Sequence, residues 1–432
     1  MGDRLEILGL GIDFTNDYTQ VCYTSSLDVD EPVSMSMVPG EQMYLMPTVL
    51  YQDINNRAWC IGDDAILHAK NDGEECIAGF VRDVLNGVEK SYNMHGQYFS
   101  AREVISIFFK ALTAMVFRIL NCSLIHDISV AIEIPERRMI EYVRQSLTEL
   151  GYSEDKIRVV DHDEAFIYYI THQKKELWVN DVALFDFSKE HFVFSKLRTI
   201  RSTTPKTITV SNTDYSDILN YAMLATAAGR ERADQKFFKI IQENFKKSIF
   251  SAVYLTGAGF YEDWAEASLP ELCSKRRVFK GYNLYVKGST YSAMKRYKKI
   301  DAGSYDYLFD CVGRTKVNVN LLIFHNGRNA TLTLSKAGTN WYEAGAQTEC
   351  ILDDINKIQI IFEEPLSMMR KTVIVDIPSF PERPNKTTKV RISLAYVDDV
   401  NCIVKIEDMG FGEFFKASEM SIVKEINIEE LF

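Results

Sequence analysis

Two short segments of this chain share one pattern, in which an apolar strand ends in aspartate and a polar turn leads into a second strand. They are residues 11–18, with the sequence GIDFTNDY, and residues 185–192, with the sequence FDFSKEHF. Such a repeated unit is typical of a duplicated phosphate-binding loop. Glycine normally lets the backbone of such a loop approach a phosphate, but neither turn contains glycine. The pattern therefore predicts a duplicated nucleotide-binding fold with weakened nucleotide chemistry.

The composition favours a globular protein of two or three domains. The chain has 432 residues, 46% hydrophobic and 25% charged, which is too long for one compact core. Its net charge of −11 argues against nucleic acid as a partner, because phosphates require basic patches. No apolar run has the length of a signal segment or a membrane span, so we expect a cytoplasmic protein. The eight cysteines form no CxxC pair, which argues against disulfides and zinc.

Hydrophobic periodicity predicts the order β-β-β-α-β-α, given twice, which indicates duplicated α/β units. A capping box of Ser100 and Glu103 marks the start of one helix. After about Asp310 the periodicity is that of strands, which predicts an all-β domain. The same pattern also predicts a third strand at residues 35–37, one strand over 46–51, and helices at 136–151, 214–226 and 230–247.

These segments and their order together resemble the heat-shock seventy-kilodalton (DnaK-like) chaperones of the actin-like ATPase superfamily, nearly from end to end. GIDFTNDYTQVCY resembles their first phosphate loop. DISVAIEIPERRMIEYVRQSLTELGY, VVDHDEAFIYYI and VYLTGAGFYEDWAEASLPEL resemble, in turn, a strand–proline–helix unit, a connecting segment and the adenosine loop. KAGTNWYEAGAQTECILDDINKIQIIFEEP resembles part of the substrate-binding domain. No single segment is specific, and the resemblance rests on their collinearity.

The resemblance implies an α/β actin-like ATPase fold, with duplicated ribonuclease-H-like lobes, followed by an all-β sandwich. It places lobe I at 1–180, lobe II at 181–303, a linker at 304–311 and the β-sandwich at 312–432. The interval between Asp186 and Gly257 is short for the family, so lobe II is expected to lack much of the adenine pocket. No helical lid is expected over the β-sandwich. The linker sequence at 306–310 is equally compatible with the edge of a strand.

The resemblance also implies a set of site residues. Asp13 and Asp186 match the acids that position hydrated Mg²⁺ and the attacking water, although aspartate after a buried strand also caps turns. His162 lies where the family has a magnesium-associated glutamate, which suggests either a mixed metal site with the two aspartates or a hydrogen-bonding turn residue. The cofactor would be ATP or ADP with Mg²⁺. The residues that match its binding segments are Thr15, Asn16, Ser188, Lys189, Gly257, Gly259 and Gly288, of which the glycines also suit structural turns.

Two substitutions argue against nucleotide chemistry. Glu190 places a negative charge where the resemblance places phosphate, which costs roughly 1 kcal/mol or more, and Lys189 offsets one phosphate only. The catalytic lysine of the family has no clear counterpart. Arg82 lies near its expected place, and arginine binds phosphate but does not readily transfer protons.

The leading hypothesis is a DnaK-like, chaperone-related protein that binds other proteins or serves as a scaffold, with a degenerate and inactive ATPase site. The alternative is a slow Mg²⁺-dependent ATP-hydrolysing chaperone that uses Asp13 and Asp186. A filament-forming actin-like protein is a third reading, against which the β domain argues. Polypeptide clients are expected to bind the β domain, since extended peptides bind in shallow apolar pockets. The candidate lining residues are Leu322, Phe324, Leu332 and Trp341, which a sandwich core would also use.

Overall fold

The computed structural model describes residues 5–38, 40–246, 248–296, 307–353, 357–378 and 380–432. The described residues form two compact units, one within Met1–Thr199 and Val210–Ser304, the other within Ile200–Thr209 and Tyr305–Phe432. The second unit thus includes ten residues from the middle of the segment expected to form lobe II. Residues 304–306 of the expected linker lie outside the described residues.

The first half of the first unit forms one main sheet flanked by helices. Its strand order is β10-β9-β1-β2-β3, and β1 runs parallel to β9 and antiparallel to β2. The elements are β1 (Leu5–Phe14), β2 (Tyr18–Ser25), β3 (Asp28–Ser34), β4 (Met46–Pro47), β5 (Leu50–Gln52), β6 (Trp59–Ile61), α1 (Gly62–Asp72), α2 (Phe80–Leu85), β7 (Ser91–Met94), β8 (Gln97–Ser100), α3 (Ala101–Leu120), β9 (Cys122–Ile132), α4 (Arg137–Glu149), β10 (Ile157–Asp161) and α5 (His162–Thr171).

The second half repeats this arrangement. The order of its strands is β15-β14-β11-β12-β13, and β11 runs parallel to β14 and antiparallel to β12. A phenylalanine-rich core packs α6 against this sheet. The elements are β11 (Asp181–Phe187), β12 (Phe192–Ile200), β13 (Thr207–Asp214), α6 (Ala227–Phe245), β14 (Phe250–Thr256), α7 (Ser268–Cys273), β15 (Arg277–Lys280) and α8 (Leu284–Ala293).

The second unit contains two four-stranded antiparallel sheets with the orders β18-β17-β20-β21 and β19-β22-β23-β24. Within the same unit, the first three residues of β13 pair in parallel with β16. The strands are β16 (Leu308–Asp310), β17 (Asn318–His325), β18 (Arg328–Ser335), β19 (Ala346–Ile351), β20 (Lys357–Glu363), β21 (Arg370–Asp376), β22 (Lys389–Tyr396), β23 (Asn401–Asp408) and β24 (Ser421–Asn427). The described part of the expected linker therefore includes a strand.

A buried ion pair stabilises the second unit. Both terminal nitrogens of Arg383 lie 2.7 Å from the carboxylate oxygens of Asp408. The same carboxylate accepts hydrogen bonds from the backbone N–H groups of Gly410 and Ser418. Each charge is therefore compensated, as burial requires.

Most predicted elements are present, and the capping box of α3 is confirmed by reciprocal hydrogen bonds between Ser100 and Glu103. The third strand was predicted too late, because the acidic edge strand β3 lacks an apolar pattern. The strand predicted over 46–51 is divided into β4 and β5.

The helix predicted at 214–226 is wrong. The Asp214 side chain accepts hydrogen bonds from the N–H and hydroxyl of Ser216, which ends β13 in a turn. Leu219 and Leu224 are buried in the core without a long helix, since only Tyr221–Ala225 forms a 3₁₀ turn.

No helix among the described residues has the length and apolar character to cross a membrane.

Candidate functional site

Two aspartates occupy equivalent positions in the two sheets of the first unit. Asp13 is the next-to-last residue of β1, and Asp186 is the next-to-last residue of β11. Each central strand lies between a parallel neighbour and an antiparallel one. Both side chains are buried. The two acids therefore face one region from the carboxyl ends of related strands.

In the hairpin turn after each aspartate, a side-chain hydroxyl group accepts hydrogen bonds from backbone N–H groups of the same turn. In the first turn, residues 15–18, the Tyr18 N–H donates to the Thr15 hydroxyl at 3.3 Å. In the second turn, residues 188–191, the N–H groups of Glu190 and His191 donate to the Ser188 hydroxyl at 3.1 and 3.0 Å. These hydroxyls therefore use backbone N–H groups of the kind that would bind a phosphate.

Charged side chains join the two turns. Arg82 of α2 forms an ion pair with Glu190, and its guanidinium lies 4.0 Å from Asp17. The Arg82 backbone N–H also donates to the Asn16 side chain at 3.2 Å. Lys189 lies 3.6 Å from the Asp17 carboxylate. The two cations expected to meet phosphate are therefore paired with carboxylates of the protein.

A stacked pair of rings connects the two aspartates. His162 begins α5, and its Nε2 lies 2.9 Å from Asp13 Oδ1. Tyr285 lies in the first turn of α8 and donates its hydroxyl to Asp186 Oδ2 at 2.7 Å. The two rings stack with centroids 3.7 Å apart and an interplanar angle of 8°. A continuous chain of side chains therefore crosses from the first sheet to the second.

The charged side chains that link the two aspartates stabilise one another. Burial alone would lower the pKa of His162, but attraction to Asp13, their hydrogen bond, and the charges of Glu133 and Asp186 raise the pKa to about 9. Burial opposes ionisation of Asp186, yet the hydrogen bond and charge of His191 hold the pKa of this carboxyl below its usual value. Burial raises the pKa of Glu133. At neutral pH the protein therefore supplies its own cation, the imidazolium of His162, beside Asp13.

The predicted metal ligands line one cavity but do not form a metal-binding group. Asp13 contacts His162, and Asp186 contacts Tyr285 and, at 3.7 Å, His191. Among the described residues, no group of three or more His, Cys, Asp or Glu side chains is arranged to hold a metal ion. The donor geometry therefore gives no support to the magnesium or mixed-ligand hypotheses.

The cavity between the two turns has a volume of about 90 Å³. Sites for ligands of drug or cofactor size are usually roughly 300–1,000 Å³, so this cavity by itself is smaller than the site of a whole nucleotide. Glu190 lines it together with most of the residues predicted from the sequence. Those predicted residues are Asp13, Thr15, Asn16, His162, Asp186, Ser188, Lys189 and Gly257.

Gly259 and Gly288, which the sequence predicts as cofactor-binding residues or structural turns, lie where the backbone is closely packed. A Cβ atom on Gly259 would lie 2.3 Å from the Phe187 ring, and one on Gly288 would lie 2.0 Å from the Ala165 carbonyl oxygen. Neither glycine lines the cavity. Gly257 does line it, but its Cβ would lie 2.8 Å from Asp186 Oδ1, so this turn also packs tightly.

Three residues of the site were missed by sequence reasoning. Glu133 follows β9, His191 ends the second turn, and Tyr285 lies on α8, more than 90 residues from Asp186 in the chain. His191 and Glu133 lie within the quoted segments FDFSKEHF and DISVAIEIPERRMIEYVRQSLTELGY, so their polar character after an apolar strand was a usable signal. Tyr285 carried none, because its role depends on how α8 packs.

The second unit carries a second candidate site, an apolar groove of about 670 Å³. Leu322, Phe324 and Leu332 line it as predicted, and Phe324 is 68% exposed. Trp341 does not line it, because its side chain is buried in the core. The groove is bordered by edge strands of both sheets, β18 and β19.

Two protein families match the chain. "Family of unknown function (DUF5716) C-terminal" matches residues 31–311, which is more than half of the chain. "Domain of unknown function (DUF8552)" matches residues 314–428. Comparison with curated proteins gives no match.

The Gly288→Ala variant tests whether this glycine serves packing. Alanine is normally favoured over glycine within a helix, but the clash with Ala165 is expected to lower the free energy of unfolding by about 1–3 kcal/mol. Gly281→Ala is the control, because the nearest atom to its Cβ would be 3.8 Å away. Urea unfolding followed by circular dichroism measures both changes, and a stabilised Gly288→Ala protein would contradict the packing role.

The His162→Gln variant tests the ion pair with Asp13. Folding raises the pKa of His162 from 6.5 to about 9, so the folded state binds the proton more tightly than the unfolded state. The stabilisation, on the order of 1–3 kcal/mol, should be complete below pH 6.5 and disappear as pH rises through about 9. The measured quantity is the difference in free energy of unfolding between wild type and variant across this pH range. A difference that does not change with pH, or one that His325→Gln reproduces, would contradict the assignment.

Proposed function

The chain belongs to the DUF5716 family of unknown function, and we propose that it is a protein-binding scaffold of DnaK-like, actin-like architecture whose nucleotide site is permanently closed. The first unit would serve as a structural platform rather than as an ATPase. The second unit would bind extended polypeptide segments. The alternative is a slow Mg²⁺-dependent ATPase.

The observation that carries the proposal is the closure of the two hairpin turns. A nucleotide site must offer free N–H groups and cations to phosphate. Here the hydroxyl groups of Thr15 and Ser188 accept hydrogen bonds from backbone N–H groups of their own turns. Glu190 forms an ion pair with Arg82. A cavity of about 90 Å³ remains. ATP would have to break these contacts before it gained any of its own.

The groove of the β-sandwich supports the protein-binding part of the proposal. Exposed apolar residues gathered at one groove are characteristic of interaction sites. Its rim charges are paired with each other, as in Glu349 with Arg391 at 3.0 Å and Asp353 with Lys386 at 3.4 Å. The groove therefore offers apolar surface and edge strands rather than free charge, which suits an extended apolar segment that adds backbone hydrogen bonds.

We expect no change in the melting temperature of the full chain with about 5 mM ATP and Mg²⁺, a concentration at which a micromolar site would stabilise by several kcal/mol. Phosphate release should equal that of the Asp13→Asn, Asp186→Asn double variant. A shift in the wild type, together with phosphate release that the double variant lacks, would replace the proposed function by the ATPase alternative.

A fluorescent peptide with a central run of leucine and isoleucine should bind the full chain, as measured by anisotropy. Phe324→Ser should weaken binding about fivefold or more, because truncating an apolar contact that anchors a ligand removes more than about 1 kcal/mol. Phe414→Ser is the matched control, since Phe414 is 89% exposed and does not line the groove. Equal binding by both variants would exclude the groove as the binding site.

A further inference from the structure

Arg82 contacts both hairpin turns. Its backbone N–H donates to Asn16 of the first turn, and its guanidinium pairs with Glu190 of the second turn and lies near Asp17. Lys189 of the second turn pairs in return with Asp17. The positive charges of Arg82 and Lys189 therefore neutralise the carboxylates of Asp17 and Glu190. The pair of Lys189 and Asp17 links the two turns, and Arg82 links both turns to α2.

We propose that Glu190 is an internal anion, which occupies a position suited to a tetrahedral oxyanion beside Arg82 and so holds the two turns together without any ligand. The proposal rests on the closure of the site described under the proposed function and goes beyond it. It identifies which group keeps the site closed and which class of ligand would take that place.

The chemistry of Arg82 supports the replacement of the Glu190 carboxylate by an oxyanion. A guanidinium presents a planar fork that binds carboxylate and phosphate in the same manner. Removing the Glu190 carboxylate would leave Arg82 and Lys189 facing Asp17 alone, and thus an excess of one positive charge. An oxyanion of about the size of phosphate restores this balance.

The position is also reachable from solvent and held in place by the turn. The side chains of Arg82 and Glu190 are 48% and 39% exposed, so an ion can enter without unfolding the hairpin. The Glu190 N–H donates to the Ser188 hydroxyl, which holds the backbone that carries the carboxylate. The turn therefore presents Glu190 to Arg82 through local hydrogen bonds.

The test is anion rescue of Glu190→Ala in the full chain. We expect the melting temperature to fall by about 2–4 °C, and about 20 mM inorganic phosphate to restore at least half of the loss. Chloride at the same ionic strength should not restore it. The double variant Arg82→Gln, Glu190→Ala should show no rescue, because the cation that binds phosphate is gone.

Glu176→Ala is the matched control, because Glu176 pairs with the exposed Arg277 at 2.6 Å elsewhere in the same unit. Phosphate that raises the melting temperature of wild type, Glu190→Ala and Glu176→Ala equally acts by general exclusion from the protein surface and overturns the proposal. A Glu190→Ala protein as stable as wild type also overturns it.

Hydrogen exchange gives a second measurement that does not depend on the melting temperature. Amides of residues 188–191 should exchange faster in Glu190→Ala, and slower again with phosphate, which takes the place of the missing carboxylate. Unchanged exchange in this variant overturns the proposal. A stabilising effect of ATP on the wild type would instead defeat the proposed function, so the two failures are distinguishable.

Discussion

The close crossing of α5 and α8 is the constraint on which the whole site depends. Gly288 of α8 lies against the backbone of Ala165, where a Cβ would be 2.0 Å from the carbonyl oxygen. Gly11 of β1 permits an equally close approach from the other side, since its Cβ would lie 2.5 Å from the Thr290 nitrogen. Only glycine fits such contacts. Together they set the separation at which His162 and Tyr285 stack and at which the two aspartates are connected.

This connection explains why buried acids are tolerated at the site. An unpaired carboxylate in a low-dielectric interior is strongly unfavourable. Asp13 has the His162 imidazolium, and Asp186 has the Tyr285 hydroxyl and His191. Both aspartates are therefore compensated by groups of the protein.

The sequence predicted local features well and contacts between distant segments poorly. The aspartates at strand ends, the capping box of α3 and the all-β character after Asp310 depend on short-range pattern, and the structure contains them. The partners of those aspartates do not, because Tyr285 meets Asp186 of the second sheet only when α8 packs against the first sheet. The same limitation explains Gly259 and Gly288. Glycine in a loop or helix indicates close approach, but the sequence does not say whether a ligand or another backbone comes close.

If the site is closed by its own side chains, nucleotide can have no control over the rest of the protein. A ligand shifts a conformational equilibrium only by its differential affinity for the two states, and a site complete without ligand offers ATP no such difference. If the second unit binds polypeptide as proposed, that binding would then have one affinity, set by the groove alone. In an ATP-driven protein, binding and hydrolysis of the nucleotide change the contacts between the two phosphate loops. Here the ion pairs of Arg82 and Lys189 would keep those contacts the same at all times.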